Sequence, residues 1–307
     1  MNSIDIIKYT SKDGREHQGK ALDEKNGYTV IDCETCGFNH IIPLPVQSEL
    51  DEFYKDDFYI QKTKYISNAD KDSDWLEMQY KDYYQILGNH LPDDSRKILE
   101  IGSGPGHFLK CGKELGWDVV GFEPSKHAYE NSKLLEVEVI NLPFNYEESS
   151  KYGKFDAIFL RNVVEHITDP VGLIDDIRRS LKVGGLLLII APNDYNPLQN
   201  MLKSKLGFEP YWVVPPEHIN YFNFDSMKNL LNKLNFEILE TSSTFPMEFF
   251  LLSGKNYIGN DKLGRECHEM RKRFEFNCDS NYLDIFYKFL AENEMGREFI
   301  IIGKKIR

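Results

Sequence analysis

The sequence predicts an α/β fold: a doubly wound, mostly parallel seven-stranded sheet, preceded by a small N-terminal module and interrupted late by a helical insertion. Three observations carry that expectation. From Lys97 onward short apolar runs alternate with amphipathic stretches, the pattern of strands buried on both faces and joined by crossover helices. The first run, Lys97–Ile101, opens directly into Gly102-Ser103-Gly104-Pro105-Gly106, a turn that lets backbone approach a ligand at a strand's carboxyl end. A chain of 307 residues, 41 % hydrophobic and 28 % charged, is large enough for one substantial core with additions.

In order, residues 1–47 form a polar module with turn signals at Asp13-Gly14 and Asn26-Gly27, one short strand over Tyr28–Ile31, then Cys33-Glu-Thr-Cys36-Gly37 and the closing prolines Pro43 and Pro45. Residues 48–90 read as helices; Trp75, Leu76, Tyr80, Tyr83, Tyr84 and Leu87 recur at helical spacing and supply a packing stripe. Residues 91–307 form the main domain. Its strands are Lys97–Ile101, Asp118–Phe122, Val137–Ile140, Phe155–Leu160 and Gly185–Ile190, with helices over Phe108–Leu115, Lys126–Leu135 and Val171–Leu181 between them. A helix over Phe224–Leu234 and a strand over Phe236–Thr244 follow. The insertion at about 258–294 then leads to the strand Glu298–Gly303, which pairs with its predecessor as an antiparallel edge.

Composition narrows the function. A formal net charge of −12 argues against a DNA or RNA partner. No apolar run spans a bilayer and no signal peptide is visible, and five scattered cysteines fit a reducing compartment, so the expectation is a cytoplasmic protein without a membrane span.

The glycine run departs from the G-x-G-x-x-G dinucleotide pattern, and Glu100 stands just before it. A carboxylate there disfavours a phosphate and favours a ligand carrying ammonium and sulfonium charge. Glu123 ends the second strand, where a carboxylate accepts both ribose hydroxyls; this suits NAD equally. Of the histidines at strand ends and loops, His166 and His218 are candidates for a base or an orienting group, with Tyr195 and Tyr221 near them. The alternative is that each only anchors its loop.

Five segments in order resemble class I S-adenosylmethionine-dependent methyltransferases: Lys97-Ile-Leu-Glu-Ile-Gly-Ser-Gly-Pro-Gly-His107, Gly121-Phe-Glu-Pro-Ser125, Asn141-Leu-Pro-Phe144, Phe155-Asp-Ala-Ile-Phe-Leu-Arg-Asn-Val-Val-Glu-His-Ile167, and Leu181 through Asn193. The resemblance covers about residues 90–245 and implies a Rossmann-like domain. It implies that Glu100, Gly102, Ser103, Gly104 and Gly106 surround the methionine part and ribose of S-adenosylmethionine. Glu123 and Pro124 would hold the ribose, Leu142 would flank the adenine, and Arg161 or Asn162 would line the reacting centre; either could instead satisfy strand-end backbone.

His218-Ile-Asn-Tyr221-Phe222 resembles methyltransferases acting on sugars and secondary metabolites. It implies His218 and Tyr221 as substrate residues and a small-molecule acceptor, a sugar or nucleotide-linked sugar in surface-polysaccharide or secondary-metabolite synthesis. Cys33-x-x-Cys36-Gly37 with Phe38, His40, Pro43 and Glu49-Leu-Asp-Glu-Phe-Tyr54 resembles half of the zinc-binding module of sugar C-methyltransferases. That module has two such cysteine pairs; this chain has one. His17 and His40 would complete a Cys₂His₂ zinc set, the alternative being a packed knuckle with two reduced thiols.

In the insertion, cations such as Lys262, Arg265, Arg271, Lys272 and Arg273 would make a cap or dimer arm for an anionic substrate group, or merely a solvated helix face. The chain is thus expected to be a monomeric or homodimeric methyltransferase. An NAD-dependent oxidoreductase or epimerase and a non-catalytic binding subunit stand as alternatives.

Overall fold

A computed structural model describes residues 6–45 and 71–307. The helical reading of 48–70 and the motif Glu49–Tyr54 lie outside the described residues. Two sheets organise the rest. The larger has seven strands in the order β11-β12-β9-β8-β5-β6-β7, with β5 (Lys97–Ile101), β6 (Asp118–Phe122), β7 (Glu138–Ile140), β8 (Phe155–Arg161) and β9 (Leu181–Pro192) parallel. The last two strands, β11 (Phe236–Ser243) and β12 (Glu298–Lys305), are antiparallel additions at the β9 edge.

Both faces of the central strands are buried because apolar residues fill most of their positions, with Glu100 and Asp156 buried among them. Leu99, Ile158, Leu187, Ile189 and Ile301 pack on one side against Ile174 and Ile177 of α5 (Pro170–Ser180) and Leu231 of α7 (Phe224–Lys233). Ile98, Ala157, Leu188, Ile190 and Ile302 face the other side, against α1 (Ser73–His90) and α2 (His107–Glu114). There Tyr84 stacks on Phe108 at 4.4 Å and Phe108 on Phe159 at 4.1 Å, so the aromatic stripe of α1 docks as its spacing predicts.

Local signals set the helix ends. Ser125 caps α3 (Lys126–Lys133), Asn145 caps α4 (Tyr146–Ser150) and Asp169 precedes Pro170 at the start of α5. Capping boxes start α6 (Pro197–Leu206) at Asn196/Gln199 and α7 at Asn223/Ser226. The insertion comprises α9 (Asp261–Asn277) and α10 (Ser280–Glu292), preceded by the short α8 (Glu248–Leu252). No helix among the described residues is long and apolar enough to cross a membrane.

The N-terminal module is more regular than its sequence announces. Strands β1 (Ile6–Thr10), β2 (Glu16–Lys25), β3 (Tyr28–Cys33) and β4 (Phe38–Ile42) form an antiparallel sheet, which β10 (Asn220–Tyr221) joins from the main domain. Sequence reading finds only the third of these four. In β2 the inward positions are His17 and Gly19 rather than apolar residues, so alternation is masked; a Cβ at Gly19 would lie 2.0 Å from the Asp32 carbonyl oxygen.

Candidate functional site

The chain leaves β5 for β6 and β7 on one side, then returns to β8 and β9 on the other. The carboxyl ends of β5 and β8 therefore flank the switch point, where open α/β sheets bind ligands. The glycine loop sits there. Gly102, Gly104 and Gly106 have φ of +69°, +52° and +88°, and the backbone N–H groups of Gly102 and Ser103 both donate to the Phe122 carbonyl, at 2.8 and 3.1 Å. A Cβ on Gly102 would come within 2.7 Å of Val163, just past β8, so loop and strand end are in close contact.

Glu123 spans the loop and the next helix. One carboxylate oxygen accepts from Gly104 N–H and the other from Ser125 N–H, each at 2.8 Å. Burial pushes its pKa up to about 6, those two backbone donors pulling the other way. Glu100 is buried too, and its Oε2 has no hydrogen-bond partner; burial and then the nearby Glu123 charge hold its carboxyl well above the ordinary range. Two buried carboxyls side by side are costly in an empty fold and suit a cationic, hydroxyl-bearing ligand. Asn141 donates to the carbonyls of Glu123 and Pro124, which seats the half-exposed Leu142 beside them.

At the end of β8, Arg161 reaches Glu298 at 3.1 Å and Gln79 of α1 at 3.3 Å. Asn162 adopts a left-handed φ of +55° while its N–H donates to the Ile190 carbonyl. The next turn carries Glu165 and His166. His166 Nδ1–H donates to the Glu217 carbonyl at 2.6 Å, and its Nε2 lies 3.6 Å from Glu165. The His166 and His218 rings meet edge-on at 4.9 Å. Sequence-distant histidines thus converge at the sheet's carboxyl edge.

Asn220, which sequence reading passes over, holds them there. Its side-chain amide donates to the carbonyls of Val164 at 3.0 Å and Ile167 at 2.7 Å. Tyr221 is buried, and its hydroxyl accepts from Val214 N–H and donates to the His218 carbonyl, both at 3.2 Å. Those bonds make it a loop anchor.

In the N-terminal sheet, His17, Cys33, Cys36 and His40 bring one ligand atom each within 4.8 Å of one another. His17 Nδ1 lies 3.8 Å from Cys33 Sγ, 3.4 Å from Cys36 Sγ and 3.1 Å from His40 Nε2. His40 Nδ1 donates to the Ile41 carbonyl at 2.9 Å, which fixes the tautomer that points Nε2's lone pair inward. Gly37, at φ +79°, closes the Cys33–Cys36 turn. Two thiols and two imidazoles converging in a buried turn fit a tetrahedral zinc ion.

The insertion's cations are differently employed. Arg265 and Lys272 both bind Asp72 at 2.7 Å, and Arg271 pairs with Glu275 at 3.1 Å beneath Trp75. They fasten the insertion to α1, which corrects the reading of these three as a clamp for an anionic substrate.

Known proteins match the same architecture. A family model described as a methyltransferase domain matches residues 72–241. A tRNA U34 carboxymethyltransferase of Campylobacter concisus is 30 % identical over 146 residues, covering 45 % of either chain. A ubiquinone biosynthesis O-methyltransferase of Alkalilimnicola ehrlichii is 31 % identical over 122 residues, covering 38 % of this chain and 49 % of its own. The chain thus spans about half the length of these two relatives. Among solved structures, an S-adenosylmethionine-dependent methyltransferase from Archaeoglobus fulgidus superposes with a TM-score of 0.51 at 16 % identity, covering 78 % of this chain and 99 % of its own, a likeness of fold.

Proposed function

Because this chain belongs to the methyltransferase-domain family, we propose that it transfers the methyl group of S-adenosylmethionine to a small-molecule acceptor, a sugar or nucleotide-linked sugar. The observation that carries the cofactor half is the pair of buried carboxyls, Glu100 and Glu123, against the left-handed glycine loop. When bound, the cofactor supplies an electrophilic methyl carbon on a sulfonium. Glu123 receives the ribose hydroxyls, Glu100 balances positive charge, and Leu142 lies along the adenine. The chain's remaining task is alignment, since most of the acceleration of such a displacement comes from positioning. His166 is the better base of the two histidines, because its Nδ1 is held by the Glu217 carbonyl and its Nε2 stands beside Glu165, which stabilises the imidazolium formed on taking the acceptor's proton. His218, edge-on to it, orients the acceptor.

The acidic net charge speaks against a nucleic-acid acceptor, and the sugar class rests on the resemblance of His218–Phe222. Calorimetry with S-adenosylmethionine and with NAD tests the first half: binding of the former is expected, and binding of NAD alone would replace the reading with an oxidoreductase. Labelled-methyl transfer to a panel of nucleotide sugars tests the second. Turnover is expected in wild type and a drop of roughly 10²-fold or more in His166→Ala; cofactor binding without transfer to any sugar would leave a different acceptor or a binding subunit.

The module's role is structural in this proposal: zinc held by His17, Cys33, Cys36 and His40, closed to substrate by four protein ligands. Metal analysis of the purified protein should find one zinc per chain, and cobalt exchange should give thiolate-to-cobalt absorption. A metal-free protein that gives no such band would reduce the cluster to a packed knuckle.

A further inference from the structure

Among the described residues a second group of metal-ligating side chains lies apart from the cysteine turn. Glu165, His166 and His218 bring one ligand atom each within 4.8 Å of one another, just past the carboxyl end of β8. One pair already stands at ligand spacing. Two atoms bound to one zinc-sized ion, each about 2.0–2.2 Å from it, are about 3.4 Å apart in a tetrahedron. Glu165 Oε1 and His166 Nε2 are 3.6 Å apart. The His166 and His218 rings meet at 4.9 Å with an interplanar angle of 82°, so the two imidazoles converge rather than stack.

The surroundings orient these side chains as a metal site requires. His166 Nδ1–H donates to the Glu217 carbonyl at 2.6 Å, which fixes the tautomer and turns the Nε2 lone pair toward Glu165. The two segments that carry the ligands, residues 164–167 and 217–220, are fastened to each other. Ile219 N–H donates to the Glu165 carbonyl at 2.8 Å, and the Asn220 amide donates to the carbonyls of Val164 and Ile167 at 3.0 and 2.7 Å. Glu165 is only 2 % exposed, so its carboxylate is not a solvated surface acid that stands beside a histidine by chance. A buried carboxylate calls for a cation facing it. A proton shared between Glu165 and His166 would leave His218 idle; an ion engages all three.

Two imidazoles and one carboxylate select a borderline divalent ion such as zinc, cobalt or manganese. Magnesium and calcium favour sets of oxygen donors, and copper(I) favours sulfur. Three protein ligands leave a coordination position for water or a bound molecule, unlike the four-ligand cluster of the N-terminal sheet. We infer that Glu165, His166 and His218 form an open second metal site, for a divalent transition-metal ion, at the carboxyl edge of the parallel sheet. The site stands on its own geometry, whatever the chain methylates. On the methyl-transfer reading it has one consequence. His166 Nε2 gives its lone pair to the ion or to the acceptor's proton, not to both, so the loaded site withholds that base.

The test is cobalt titration of the full chain as purified. Cobalt that enters the cysteine cluster gives a thiolate-to-cobalt band, so one spectrum tells the two sites apart. A cobalt equivalent should bind with visible d–d absorption and no thiolate band, because neither thiol takes part. Manganese should broaden the ring C–H signals of His166 and His218 in the NMR spectrum before those of the other histidines. Glu165→Gln and His218→Ala should each weaken the thiolate-free cobalt binding by at least roughly 10²-fold, the loss of one ligand costing no less than the loss of an outer-shell partner. Cobalt binding only with the thiolate band, His166 and His218 signals that stay sharp while others broaden, or an affinity unchanged in both variants would overturn the inference. A variant counts only if its melting temperature matches wild type; the manganese experiment needs no variant and decides the case where neither folds. Calorimetry with S-adenosylhomocysteine on the same samples tests the cofactor reading separately, and either result can fail without the other.

Discussion

Lowering the pH from 7 to 5 should weaken cofactor binding about tenfold through Glu123 alone. Burial raises this carboxyl to about 6 in the free protein. A group with that pKa is about nine-tenths ionised at pH 7 and about one-tenth at pH 5, a change worth ~1.4 kcal/mol to any ligand that binds only the ionised form. On the proposed reading ribose hydroxyls would be such a ligand, because they would donate to the carboxylate. Glu100 is raised further and for the same reason, so it adds to the effect with the same sign. Unfolding does not explain the loss. A carboxyl whose folded pKa lies above its unfolded value contributes stability in acid and loses it as pH rises through the folded pKa, so these two groups make the free protein more stable at pH 5. Calorimetry with S-adenosylhomocysteine, run in two buffers of different ionisation enthalpy, reads both the affinity and the protons released, about half a proton from Glu123 near pH 6. A dissociation constant flat from pH 5 to 7.5 with no proton release would refute the reasoning. So would an undiminished pH dependence in Glu123→Gln.

Other expectations follow from packing. Gly102→Ala combines a left-handed φ of +69° with a Cβ 2.7 Å from Val163, and should cost about 1–3 kcal/mol and at least roughly tenfold in cofactor affinity, read by melting and calorimetry. Gly112→Ala sets two effects against each other: alanine favours a helix by about 1 kcal/mol, but its Cβ would meet the Tyr84 hydroxyl at 2.1 Å. The clash should win by about 1–3 kcal/mol in denaturant unfolding; a stabilised variant would show that α1 does not dock on α2 this way. Cys36→Ser should lower the melting temperature and slow turnover while leaving S-adenosylhomocysteine affinity within about twofold, since the cysteine turn lies outside the cofactor loop.

What sequence reading finds and misses divides along one physical line. Strands buried on both faces show as largely apolar runs, so β5, β6, β8 and β9 are legible, and the left-handed loop between β5 and α2 shows as glycines. Boundaries are less so: β9 extends from Leu181 to Pro192, beyond Gly185–Ile190, because its ends pair with β8 and β12 through backbone alone. In the N-terminal sheet the inward positions include His17, Gly19 and His40, which carry no hydrophobic period. At the site, Glu100, Glu123 and the histidines are visible as residue types in suggestive places. The bonds of Asn220 to Val164 and Ile167, and the meeting of Asp194 with Glu248 and Arg297, join segments far apart in the chain and leave no local mark.

That missing layer ties the small sheet to the turn that carries Glu165 and His166. β4 pairs with β10 so that His40 stands opposite Asn220 and Asn39 opposite Tyr221, and Ile41 N–H donates to the Ile219 carbonyl at 2.9 Å. Asn220 in turn grips both sides of the turn carrying Glu165 and His166, while Ile219 N–H donates to the Glu165 carbonyl at 2.8 Å. A side chain of the cysteine–histidine cluster is therefore one backbone pairing and one amide away from the two histidines at the end of β8. The glycine loop is held mainly from elsewhere, by the Phe122 carbonyl that accepts from Gly102 and Ser103 N–H, and meets this chain of contacts only through Val163. Loosening the cluster should displace the turn of Glu165 and His166 before the glycine loop, because a short strand of two residues has little register of its own and takes it from β4. On the proposed reading, the module therefore bears on the position of His166, and the parallel sheet on that of the glycine loop.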